Sequence, residues 1–307
     1  MRKTRNRYKK HSGRNRRLRR RVLLTAVLIL AVLGAAFAVR ACMAAVALPS
    51  VTLTEPGEIT VQDRYQGSMR IPKYDLPLNA YADAKFTQQD GIKQYQDAGA
   101  AAGVDVSSWQ GEIDWDAVKK AGIQFAFVRV GFRGQTEGQI YLDQRFEANL
   151  KGALAAGLDA GVYFYSQAVS KEEAAQEADF VLQHIRGYDL RYPVVYDWEP
   201  ADVLDGEAVS APLRTGSVTG ADVTGFTKVF CEKVRGAGYQ PCYYTNKSMG
   251  YGTFDLEALA GYPIWYAEYR DLPSFYYHFA LWQYTNAGTV PGIPEPVDLN
   301  ISFQKFQ

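Results

Sequence analysis

Downstream of Gly103 the apolar residues fall into short blocks separated by longer amphipathic stretches. "GVDVSSW", "FAFVRVG", "AGVYFYS", "YPVVYDWE" and "QPCYYTN" are brief runs rich in β-branched and aromatic residues, the pattern of strands. Between them lie "DWDAVKKAG", "DQRFEANLKGALAAGL", "KEEAAQEADFVLQHIRG" and "DVTGFTKVFCEKVRGAG", which read as helices. Gly122, Gly157 and Gly187 close the first three, and "GAG" closes the fourth. "YPIWYAEY" and "FALWQYT" follow as strands with little helix between them. Strands alternating with helices predict parallel pairing, and strands apolar on both sides, such as "FAFV" and "YPVV", predict a sheet covered on both faces. The expected fold class is α/β: a modified (β/α) TIM-like barrel of about seven or eight strands, with fewer helices than strands.

Upstream the rhythm is different. Val22–Val39, "VLLTAVLILAVLGAAFAV", contains no charge, and its length suits a hydrocarbon core that needs roughly 17–25 apolar residues. Residues 22–40 are therefore expected to form one transmembrane helix. The rival is a cleaved signal peptide, with "AVA" at Ala45–Ala47 as the cleavage site. The long apolar run and the intervening Arg40 favour the uncleaved anchor. From Leu48 the chain mixes strand-like alternation with Gly and Pro, so residues 41–102 are expected to be an extracellular stalk with room for a small hairpin. "DAGAAAG" is its last joint. Residues 103–307 then form the main folded domain.

Charge supports this topology. The chain of 307 residues has a formal net charge of +1, but twelve of its 34 Lys and Arg lie in residues 1–21, which hold no acid. The remainder carries 22 basic against 33 acidic residues. By the positive-inside bias the arm, residues 1–21, stays cytoplasmic and the rest lies outside. The expected location is the cell membrane, single-pass, with the main domain extracellular. A nucleic-acid partner is excluded on the same ground, because the acidic domain and the basic arm face opposite sides of the membrane. A lipid on Cys42 fits poorly with Arg40 two residues before it. Cys231 and Cys242 lie on a predicted helix and the strand after it. An exported protein could join them, but two buried free thiols are the favoured reading.

Candidate chemistry concentrates at strand ends, where barrels of this kind carry their working groups. Asp105 lies in the first strand, Asp197 and Glu199 close the fourth, and Asp298 lies in "PVDLN" near the C terminus. Residues i and i+2 of a strand share a face, so Asp197 and Glu199 project together with Cα atoms roughly 6.6 Å apart. Trp198 between them points the other way and packs. Two close carboxylates repel when both are ionised, which raises one pKa and leaves a general acid beside a charged partner. Glycoside hydrolysis uses that division of labour. The competing reading has these acids capping the next helix or pairing with Arg129 and Arg214. The three histidines, His11, His184 and His278, make no zinc spacing and no evident triad, and neither G-x-G-x-x-G nor a P-loop occurs. No metal or cofactor is expected. Tyr163, Tyr165, Tyr244, Trp265, Trp282 and Tyr284 lie at or near strand ends, and strand alternation lets only some of them face a sugar.

Taken in order, "GVDVSSWQGEIDW", "YLDQRFEANLKGALAAGLDAGVYFYSQA", "YPVVYDWE", "YYTN", "IWYAEY", "LWQYT" and "VDLN" resemble the glycoside hydrolase family 25 lysozymes, or N-acetylmuramidases, from about Gly103 to Phe303. The resemblance implies a β/α barrel short of helices. It also implies hydrolysis of the β-1,4 bond between N-acetylmuramic acid and N-acetylglucosamine, so the implied partner is the peptidoglycan glycan strand. Carried over by motif, Glu199 is the general acid/base and Asp197 its partner carboxylate. Asp105 and Asp298 complete the acidic cluster, and Tyr165 and Trp282 are the aromatics placed nearest the sugar. Asp197 either attacks the anomeric carbon or steadies an attacking 2-acetamido group, and the residues do not choose between the two. One departure is the "RVGFRGQTEG" loop, where many members have a shorter, lysine-containing turn. A different class of function, a membrane-tethered module that binds peptidoglycan without cutting it, has less need of four clustered acids.

Overall fold

Residues 57–200 and 213–306 are described by the computed structural model of the chain. The basic arm, the apolar span and residues 41–56 of the expected stalk lie outside them. Among the described residues no helix is long and apolar enough to cross a membrane.

Two antiparallel hairpins come first, β1 (Glu58–Asp63) with β2 (Gly67–Pro72), and β3 (Phe86–Gln89) with β4 (Ile92–Tyr95). From β5 (Ala101–Val106) strands and helices alternate as the pattern predicts. The order is α1 (Trp115–Lys120), β6 (Phe125–Arg133), the short β7 (Ile140–Leu142), α2 (Phe146–Ala155), β8 (Asp159–Ser166), α3 (Lys171–His184), β9 (Val194–Trp198), α4 (Gly220–Gly236), β10 (Pro241–Asn246), α5 (Lys247–Gly252), β11 (Ile264–Ala267), β12 (Leu281–Gly288) and β13 (Val297–Ser302). The helices start where short polar side chains meet orphan backbone donors: Asp114, Ser170 and Thr219 accept from the amides of Ala117, Glu173 and Asp222. Gly157 lets the chain leave α2 at φ 77°, which a residue with a Cβ adopts only under strain.

Among the described residues eight strands close into a barrel. Seven run parallel, β5, β6 and β8 to β12, and β13 fits antiparallel between β12 and β5. Helix is scarce in the last third: only the short α5 lies between β10 and β11, and no α-helix lies between β11 and β12.

Strand alternation divides the apolar residues into two shells. Phe125, Phe127, Val195, Cys242, Tyr244, Trp265 and Leu281 fill the barrel together with Tyr192 and Phe306. Val104, Val128, Val162 and Val194 face outward under helices that contribute Leu150, Val181 and Phe230. Cys242 belongs to the inner shell and Cys231 to the outer, and both are free, buried thiols.

The hairpins correct the expected stalk over residues 57–100. They are docked on the barrel rather than extended from it. Tyr81 stacks on Phe303 with ring centroids 3.7 Å apart, and Phe86 meets Trp282 edge-on. The Tyr74 amide donates to Tyr277 Oη (2.9 Å), the His278 amide to the Pro77 carbonyl (2.8 Å), and Lys247 Nζ to Asp63 Oδ2 (2.6 Å). Gly67 and Pro72 open and close β2, and Gly91 and Gly99 lie in turns.

Candidate active site

The inner shell is apolar below and polar at one rim. On β5 the inward positions run Ala101, Gly103, Asp105, and on β9 they run Val195, Asp197. Both carboxylates therefore lie at C-terminal strand ends. Asp298 is the second residue of β13 and pairs in register with Asp105. Because β13 runs antiparallel, its beginning reaches the rim where the parallel strands finish. Glu199 follows directly on β9 and is half-buried.

Asp105 is held from two sides. Its Oδ2 accepts from Asn300 Nδ2 (2.7 Å) and Gln283 Nε2 (2.9 Å). Asn300 Oδ1 accepts in turn from Trp265 Nε1 (2.8 Å), and Gln283 Oε1 from the hydroxyls of Tyr244 (3.2 Å) and Tyr269 (3.0 Å). These residues fix the carboxylate plane, and Asn300, Gln283 and Tyr269 were not singled out from the sequence. A signal was available: Asn300 follows Asp298 and Gln283 follows Leu281 by two residues, so each shares an inward face. Trp109, on the turn after β5, is 77% exposed and adds an unpacked ring beyond that strand's end.

Burial sets the electrostatics. It pushes the Asp105 carboxyl up to about 6 against the lowering effect of its two amide donors. It pushes Asp298 up to about 8, with the charge of Asp105 adding to the rise. Asp197 is raised well above the usual carboxylate range by burial first, then by the charges of Glu199 and Asp105, with Arg129 opposing. A hydrogen bond to Glu199 also favours its protonated form. Asp197 and Asp298 therefore retain protons at neutral pH.

The two arginines of the competing reading are engaged elsewhere. Arg129 Nε donates to Asp143 Oδ2 (2.9 Å), and Arg214 pairs with Glu173. Arg214 Nη1 also donates to the Gln167 carbonyl (3.2 Å), and Gln167 Nε2 donates to the Glu199 carbonyl (2.7 Å). Trp198 faces outward, as alternation requires, and its Nε1 donates to the Ala168 carbonyl (2.9 Å). The end of β9 is thus fastened at Trp198 and Glu199 to the residues that follow β8.

The two expected sugar-facing aromatics part company. Tyr165 pairs in register with Asp197, on the same face, and is half-buried. Trp282 does not face the rim. It is fully buried on the outer face of β12, capped by Phe86, with its Nε1 donating to the Glu268 carbonyl (3.0 Å). The reason is parity: Gln283 takes the inward position, so its neighbour must point out. Among the described residues no group of His, Cys, Asp and Glu has the arrangement of a metal site.

The family model described as glycosyl hydrolases family 25 matches residues 104–293, from within β5 to the turn before β13. The chain belongs to this family. As a family 25 member it is a glycoside hydrolase with a helix-poor α/β barrel. Lysozyme M1 of Streptomyces globisporus is 29% identical over 214 residues, 66% of this chain and 68% of that protein. The crystal structure of a bacterial lysozyme from Streptomyces coelicolor superposes with a TM-score of 0.51 at 26% identity, over 66% of this chain and 92% of that one. The modular autolysin LytC from Streptococcus pneumoniae shares the fold at 22% identity, with a TM-score of 0.57 over 83% of this chain and 58% of its own. The family match begins at residue 104, so both hairpins lie outside it.

Proposed function

We propose that this family 25 hydrolase is a lysozyme that cleaves the β-1,4 bond between N-acetylmuramic acid and N-acetylglucosamine in peptidoglycan. The observation that carries the reading is the convergence of Asp105, Asp197, Glu199 and Asp298 on one barrel rim, with a proton retained on Asp197 beside Glu199. Relatives named as lysozymes support the substrate, as does a LytC structure in complex with a synthetic peptidoglycan ligand.

Glu199 is the general acid/base, because it is the member of the pair that stands half-buried at the mouth. Asp197, 6% exposed, is the more enclosed of the two. It supplies negative charge beneath the anomeric carbon, or orients the 2-acetamido group, once the proton has moved to the substrate through Glu199. The charge of Asp105 helps to keep the proton on Asp197. Tyr165 offers its ring to the sugar beside Asp197. In the whole protein, residues 22–40 anchor the chain in the membrane and the hydrolase works outside, on the wall.

The test uses the full chain and purified peptidoglycan. Wild type should release new reducing ends on muramic acid. Glu199→Gln should lower the rate about 10²–10⁴-fold, the usual contribution of a general acid. Near-full activity in Glu199→Gln would overturn the assignment of roles, and binding without turnover by wild type would favour a wall-binding module instead.

A further inference from the structure

A polar cleft of about 660 Å³ opens beside the acid rim, and hairpin residues from outside the family domain build one of its walls. Gln88, Asp90 and Lys93 come from the β3–β4 hairpin and Tyr65 from the β1–β2 turn. The facing wall is Tyr269 to Asp271 and the end of β12. The volume lies within the roughly 300–1,000 Å³ of small-ligand sites. One residue ties the cleft to the acid cluster: Tyr269 lines it, and its hydroxyl donates to the Gln283 that holds Asp105.

The walls are fastened together. Tyr65 Oη donates to the Leu272 carbonyl (2.8 Å) and accepts from the Leu272 amide (3.0 Å). The Lys93 amide donates to Tyr284 Oη (2.9 Å), and Lys93 Nζ to the Asp271 carbonyl (3.0 Å). The charges are largely matched within the cleft. Lys93 Nζ pairs with Asp271 (3.4 Å), and the Arg270 guanidinium lies 5.3 Å from the Tyr65 ring. Matched charges, amides, hydroxyls and partly exposed tyrosine rings suit a neutral polyhydroxylated chain better than an anionic peptide.

We infer that this cleft is a distal glycan subsite, in which the hairpins hold saccharide units of the same strand whose bond is cut at Glu199. The inference rests on the lysozyme reading above. Its consequence is a dependence on strand length that the barrel residues alone do not create.

The experiment compares full-length wild type with Gln88→Ala/Arg270→Ala, two exposed positions, on soluble uncross-linked glycan strands sorted by length. On long strands the KM of the double variant should rise about tenfold at unchanged kcat, a loss of about 1.4 kcal/mol. On the shortest cleaved fragment both constants should match wild type, which also shows that the variant is folded. Equal effects on long and short strands, or no effect on long ones, would overturn the subsite and leave the lysozyme reading standing. A defect that vanishes once stem peptides are stripped would assign the cleft to peptide and sink the glycan proposal. A wild type that cut neither substrate would overturn the functional reading, and this inference with it.

Discussion

Asp298 sits where its charge is least welcome, partly buried and in register with Asp105. Its carboxyl rises from the ordinary 3.8 to about 8. An acid whose pKa is higher in the folded chain binds its proton more tightly there, so stability falls as pH rises from the unfolded pKa to the folded one. For Asp298 that window runs from about 4 to about 8. Asp298→Asn should therefore stabilise the protein by about 1 kcal/mol at pH 8, partial exposure limiting the gain, and leave it unchanged at pH 4. Thermal unfolding at the two pH values checks this, and an equal gain at both would show that the charge is not the cause. At this scale the acids were readable because period-two alternation and strand ends need only local sequence. Trp198 was placed outward on that ground and is found there. Trp282 was placed by motif without counting its parity against Gln283, and the structure puts it on the other face. The partners of Asp105 come from β12 and β13, far along the chain, and become evident only when those strands are neighbours.

At the scale of elements, the barrel closes because small residues make room for large ones. The inward position Gly161 on β8 faces the Phe127 ring and the Pro193 carbonyl, and a Cβ there would lie 2.6 Å from that carbonyl oxygen. The oxygen accepts from the Val162 amide and cannot retreat without breaking the edge of β9. Gly161→Ala should cost about 1–3 kcal/mol as an overpacking change, read as a lower denaturant midpoint with an unchanged m-value. A neutral result would mean that β8 and β9 slide apart more easily than a closed barrel allows. The strands and four main helices were legible from apolar blocks and terminal glycines. The direction of the last strand was not foreseen, although the reason lies in the chain: only residues 289–296 separate β12 from β13. Parallel strands need a crossover of a dozen or more residues, so a link that short forces an antiparallel return. That reversal is what brings Asp298 to the same rim as Asp105.

For the whole molecule the informative region is residues 57–100, which composition alone presents as a stalk. Two features contradict that reading. Asp90–Gly91 between β3 and β4 is a two-residue turn with both φ values positive, and Asp-Gly is among the strongest short hairpin signals. The segment also carries Tyr74, Tyr81, Phe86, Ile92 and Tyr95, more aromatic and branched residues than a solvated spacer has use for. In the fold these side chains cover Tyr277, Phe303 and Trp282, and Asp63 compensates Lys247 beside Glu268. A chain beginning at residue 101 would keep every barrel strand and every acid. It would also expose that aromatic surface and remove one carboxylate from a mostly buried lysine, a loss of several kcal/mol. We expect such a chain to unfold at least about 10 °C below one beginning at residue 57, and to bind a hydrophobic dye before it melts. The longer chain should unfold in a single transition, with its hairpins resisting protease until the barrel gives way. Equal melting temperatures for the two chains would mean that the hairpins rest on the barrel without supporting it, and residues 57–100 would then be a spacer after all.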